Sequence, residues 1–113
     1  MSDISDFTER RQFERYPLML DALISLPKEH YDAVLIDISA GGAKFQFREM
    51  PPMMPGPGIP ISITIQPFGG FYGSLMWVDD DFAGMKFEEN HKAMASLIHE
   101  MVAQSRSDRA VPE

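Results

Sequence analysis

The chain of 113 residues contains no cysteine, which excludes disulfides, thiolate nucleophiles and most structural zinc arrangements, and is compatible with a reducing compartment. No apolar run approaches the roughly 20 residues needed to cross a bilayer as a helix, so membrane insertion is not expected. Basic charge is scarce. Ten Lys and Arg stand against 17 Asp and Glu, a formal net charge of −7. A polyanion is held by an extended basic surface that releases counterions, so neither DNA nor RNA is an expected partner. Met1-Ser2-Asp3-Ile4-Ser5-Asp6 is polar and acidic rather than basic then apolar, which does not fit a signal peptide, and a cytoplasmic location is expected. A chain of this length has room for one core.

What is present is a succession of period-two segments. Leu18, Leu20, Ala22, Ile24 and Leu26 fall at every second position, the pattern of a half-buried strand, and Pro27-Lys28-Glu29-His30 reads as a turn. Tyr31 to Ile38 forms a second strand, with Asp32, Val34, Ile36 and Ile38 on one face and Tyr31, Ala33, Leu35 and Asp37 on the other. Ser39-Ala40-Gly41-Gly42 is a tight connection, because paired glycines permit positive φ. Ala43 to Arg48 alternates again. Glu49 to Gly58, rich in proline and without either period, reads as a loop of about ten residues. Ile59, Ile61, Ile63 and Ile65 give the cleanest alternation. After a turn at Pro67 to Gly70, Phe71, Gly73, Leu75 and Trp77 oppose Tyr72, Ser74, Met76 and Val78, which favours the core for Trp77 over the stacking role that its aromatic face also offers. Asp79-Asp80-Asp81 turns the chain into a sixth strand, Phe82 to Phe87.

Beyond Glu88 the period changes. Met94, Leu97, Ile98, Met101 and Val102 form the apolar stripe of an amphipathic helix, with Asn90 as its N-cap. The expected fold class is all-β with one C-terminal helix: a six-stranded antiparallel β-barrel with the helix on its surface or over one end. The expected organisation is a flexible N-terminal segment 1–9, an arginine arm 10–16, a barrel 17–87, a helix 90–104 and a flexible tail 105–113.

Two clusters concentrate the recognition chemistry. Arg10-Arg11-Gln12-Phe13-Glu14-Arg15 carries planar cationic forks, their field partly offset by Glu9 and Glu14. Asp37-Ile38-Ser39-Ala40-Gly41-Gly42 offers a carboxylate, a hydroxyl and glycines that admit close approach. Guanidinium pairs bidentately with phosphate or with guanine O6/N7, and a carboxylate accepts from paired N–H groups. A guanine nucleotide suits both. Asp37 would accept the two N–H donors of a guanine edge, which adenine does not match, and it equally suits a turn held by its own backbone. Ser39 carries the same two readings, and Gly42 is most simply a turn requirement.

Arg11-x-x-x-Arg15 followed by Asp37-x-Ser39-x-x-Gly42 resembles the motif pair of the PilZ domain, a bacterial receptor for cyclic di-GMP. The resemblance implies cyclic di-GMP as ligand, phosphate and guanine contacts from Arg11 and Arg15, and help from Arg10 in holding a second stacked nucleotide. Asp37, Ser39, Gly41 and Gly42 complete the implied ligand-binding set, and the implied fold is a small barrel of the kind already read. It further implies a receptor whose arm orders over the Asp37–Gly42 turn and reshapes a surface for a partner protein. Flagellar, secretion or polysaccharide machinery is the implied setting, in motility, biofilm or exopolysaccharide control. The alternative is a nucleotide-independent interaction module of the same fold.

Other constellations are weak. His30, His91 and His99 are scattered and lack a further ligand, so no metal site is expected. Ser39 has neither a G-x-S-x-G elbow nor a histidine partner, and no enzymatic activity is expected. Asp79-Asp80-Asp81 reads as a charged turn tip. Met50, Met53 and Met54 offer adaptable apolar side chains to a partner. Lys44, Phe45, Phe47 and Arg48 are a faint version of a single-stranded nucleic-acid surface, which the acidic total opposes.

Overall fold

The computed structural model describes residues 14–54 and 56–110, with side chains through Ser105. The expected flexible segment 1–9, and Arg10 and Arg11 of the arm, lie outside the described residues. The strands are β1 (Tyr16–Ser25), β2 (His30–Ser39), β3 (Gly42–Phe47), β4 (Pro60–Ile65), β5 (Gly69–Asp79) and β6 (Phe82–Phe87), followed by helix α1 (His91–Ala110). All strand pairs are antiparallel, and they close a barrel in the order β1-β2-β3-β6-β5-β4. The barrel with one C-terminal helix is the fold read from the sequence.

The alternating residues fill its interior. Ile24, Leu35, Ile38, Phe45, Ile63, Ile65 and Leu75 are each completely buried. Burial of this kind stabilises by about 25 cal/mol per Å² of apolar surface removed from water. The ring is sealed where β4 returns to β1, over only three residue pairs: Leu23 with Thr64, Ile24 with Ile63, and Ser25 with Ser62.

The proline-rich loop has a topological cause. β3 and β4 are separated in the ring by β6 and β5, so the chain must cross the barrel rather than turn back on itself. It is tied to β5 where it arrives: the Gly58 N–H donates to the Leu75 carbonyl at 2.7 Å, and the Leu75 N–H to the Ile59 carbonyl at 3.0 Å.

Asn90 caps α1, its Oδ1 accepting from the N–H groups of Lys92 at 2.8 Å and Ala93 at 3.2 Å. These satisfy two amides that have no partner within the helix. Met94, Ile98 and Met101 are buried, with Leu97 and Val102 half-buried beside them, and the helix packs on β1 and β2. It runs to Ala110, six residues past the expected boundary at 104. The apolar period ends earlier, but Ser105 to Ala110 contains neither glycine nor proline to stop the backbone.

Three bulges interrupt the ladders. Register shifts fall between Pro17 and Leu20 in β1, between Leu35 and Asp37 in β2, and between Leu75 and Trp77 in β5. Each inserts an extra residue relative to a neighbouring strand; in β2 and β5 this exchanges the inward and outward faces beyond it, whereas Leu18, Ala22 and Ile24 of β1 all stay inward. In β2, Ala33 and Leu35 point inward before the bulge and Ile38 after it. Asp37 therefore does not share the face of Leu35, contrary to simple alternation. In β5 the same step overturns the assignment of Trp77 to the core: the side chain is 41% exposed.

Candidate functional site

The bulges bring one row of residues into line across five strands. Pro17 pairs with Asp37, Asp37 with Lys44, Lys44 with Gly84, and Gly84 with Trp77. Directly opposed residues of antiparallel strands face the same side, so this row lies on the outer wall of the barrel. Trp77 reaches across β6 because Gly84 has no side chain. A Cβ at Gly84 would stand 2.2 Å from the indole Nε1 and 2.5 Å from Cε2. Arg15, Asp37, Lys44, Met76, Trp77 and Gly84 line a cleft of ≈ 350 Å³ along this row.

Arg15 and Asp37, 22 residues apart in sequence, meet in it. The Arg15 Nε donates to Asp37 Oδ1 at 2.9 Å, and Nη2 donates to the same oxygen at 2.5 Å. The Arg15 side chain is 52% exposed and that of Asp37 23%. A charge-assisted pair at such a half-open surface orients the two groups while contributing little to stability. Arg15, near the end of the arginine arm, thus lies against β2.

The other motif residues serve the hairpin itself. Ser39 is buried, accepting from the Gly41 N–H at 3.2 Å and facing the Gly42 carbonyl at 3.5 Å, so its hydroxyl is engaged in the turn. Gly42 is required by close approach rather than by left-handed backbone, since a Cβ there would fall 2.1 Å from the Met85 carbonyl oxygen. Positive φ occurs instead at Gly58, Gly69 and Asp80. The structure therefore brings Arg15 and Asp37 together, sets Ser39, Gly41 and Gly42 behind them as support, and leaves Arg10 and Arg11 outside the described residues.

Two residues of the cleft stand outside both motifs. For Trp77 the alternation favoured core over stacking, because the β5 bulge leaves no mark in it. Lys44 lies two residues past Gly42, and only its pairing with Asp37 places it in the cleft. Its Nζ stands 5.2 Å from the centroid of the Phe82 ring, within cation–π range.

A second cleft of ≈ 350 Å³ lies between α1 and the start of β1, lined by Tyr16, Ala40, His91 and His99 among others. Glu14 and Lys92 also line it, whereas Arg15 and Asp37 do not. Tyr31, also outside the Arg15–Asp37 cleft, is raised above its ordinary pKa of 10.0 by its hydrogen bond to Glu29, with desolvation and the charges of Glu29 and Glu49 adding. Among the described residues no three His, Cys, Asp or Glu side chains converge as a metal site, and no helix is long and apolar enough to cross a membrane.

Residues 9–104 match the family model of the PilZ domain. The chain belongs to the PilZ domain family. PilZ domains are cyclic di-GMP receptor modules, and solved members share this barrel. The PilZ domain of CeSA from a cellulose-synthesizing bacterium superposes with a TM-score of 0.62 at 15% identity, covering 80% of this chain and 97% of that one. The PilZ domain of Escherichia coli YcgR, solved with cyclic di-GMP, gives 0.59 at 17% identity, covering 88% and 95%. The Bacillus subtilis inhibitor of motility MotI gives 0.58 at 18% identity, covering 83% of this PilZ chain and 52% of its own longer one. No curated protein matches by sequence.

Proposed function

We propose that this PilZ domain is a receptor for cyclic di-GMP, bound in the cleft between the Arg15–Asp37 pair and Trp77. The observation that carries the reading is the convergence of the two motif clusters: a guanidinium and a carboxylate from distant segments meet beside an exposed indole. Asp37 Oδ1 already accepts two N–H donors, the pattern that a guanine Watson–Crick edge offers. Arg15, displaced from that oxygen, supplies a fork for a phosphate or for guanine O6/N7. The indole face gives a purine a surface to stack on. A small phosphodiester needs only a local basic spot, which an acidic chain can provide.

Nucleotide then exchanges one set of contacts at Arg15 for another, and the segment before β1 follows. Such a shift is limited by the ligand's preference for one arrangement over the other. The altered surface acts on a partner protein, and the likeness to an inhibitor of motility favours motility control as its setting. The test is calorimetric titration of the folded protein with cyclic di-GMP. Arg15→Ala and Asp37→Ala should each weaken binding by at least about 2 kcal/mol, because a polar group of the complex is left unpaired. No heat from the folded wild type retires the reading.

A further inference from the structure

We propose that Lys44 is a phosphate-binding residue of the cleft, carried on the barrel wall rather than on the segment that precedes β1. The inference rests on the cyclic di-GMP reading and extends it to a residue outside both motifs. Its starting point is the charge of the cleft. Arg15 and Asp37 neutralise each other at 2.5 Å. Lys44 lines the same cleft, and among the described residues it belongs to neither of the two ion pairs, Arg15–Asp37 and Arg48–Asp21. The uncompensated charge of the site is therefore the Lys44 ammonium. In a chain of net charge −7, a cleft left positive selects for an anion.

Its position suits the middle of the ligand. Lys44 is flanked in the row by Asp37 on β2 and by Gly84 on β6, over which the Trp77 indole lies. Between Asp37 on β2 and the indole lying over Gly84 of β6 stands only β3, so a nucleotide that contacts both passes over Lys44. The aliphatic stem and the Phe82 ring keep the ammonium near the surface, and a flexible lysine swings over a few ångströms to meet an oxygen. Because β3 is an interior strand of a closed sheet, this contact does not wait for the arm to dock.

The experiment is titration of the full chain with cyclic di-GMP at several salt concentrations, comparing wild type with Lys44→Gln, Lys44→Arg, Phe82→Leu and Lys86→Gln. Lys86 is exposed on the same strand as Gly84, one row away and outside the cleft. Lys44→Gln should weaken binding about tenfold, the loss of one charge-assisted contact, and flatten the salt dependence. Lys44→Arg should restore most of both, and Lys86→Gln should stay within about twofold of wild type. The proposal is overturned if Lys44→Gln binds like wild type, or if Lys86→Gln loses as much, since charge anywhere on the wall would then suffice. Phe82→Leu removes the ring contact and keeps the ammonium; a loss there equal to that of Lys44→Gln, unrescued by Lys44→Arg, assigns Lys44 a packing role and overturns the proposal too. A wild type that binds no cyclic di-GMP overturns the receptor reading itself, and Lys44 with it.

Discussion

At Gly84 and Gly42 the same absent side chain has two different meanings. A methyl at Gly84 meets the indole Nε1 at 2.2 Å, the outer end of a side chain that is 41% exposed and free to move away. A methyl at Gly42 meets the Met85 carbonyl oxygen at 2.1 Å, and backbone within a ladder cannot withdraw. Gly84→Ala should therefore keep the fold and lose the cleft floor. Trp77 is the only tryptophan, so its fluorescence should shift while the far-ultraviolet circular dichroism holds, and cyclic di-GMP binding should weaken. Unchanged emission would show that the indole does not rest there. At this scale the sequence was informative about Arg15 and Asp37, whose chemistry is rare enough to suggest recognition. It was less so for Ser39, because a hydroxyl after an aspartate fits a turn and a ligand equally well until its burial is known.

Among the elements, the strands were legible from period two and the helix from its stripe, because one buried face dictates both patterns. The bulges were not legible. An extra residue leaves no mark in a run such as Leu75-Met76-Trp77, where all three are apolar and either parity gives a reasonable strand. In β2 and β5 the faces beyond the bulge were consequently exchanged, and the positions so affected, Asp37 and Trp77, are those that make the cleft, while β1 kept its alternation through Leu18, Ala22 and Ile24. The end of α1 was misplaced for a related reason: apolar period reports where a helix packs, not where it stops. Its start was clearer, through Asn90. Asn90→Ala should lower stability by about 1 kcal/mol, measured as a reduced midpoint in urea, with binding unaltered because the cap lies outside the Arg15–Asp37 cleft.

The molecule as a whole is a ring whose closure rests on few residues. Ile24 and Ile63 face each other at the β1–β4 seam, both completely buried. Ile63→Ala should cost about 2–5 kcal/mol, a large part of the 5–15 kcal/mol typical of a domain. If barrel and helix form one cooperative unit, tryptophan emission and helical circular dichroism will be lost in coincident transitions; separate transitions would mean that the helix melts independently. Closure itself was only partly readable. Six short strands implied a barrel, while the order β1-β2-β3-β6-β5-β4 depends on a crossing that a proline-rich loop permits but does not specify. The packing of α1 on β1 and β2 also sets a schedule for biosynthesis. Arg15 just before β1 and Asp37 on β2 are translated early, and these strands receive their backing only when Met94, Ile98 and Met101 leave the ribosome, so a nascent chain has its motifs long before the wall that carries them is supported.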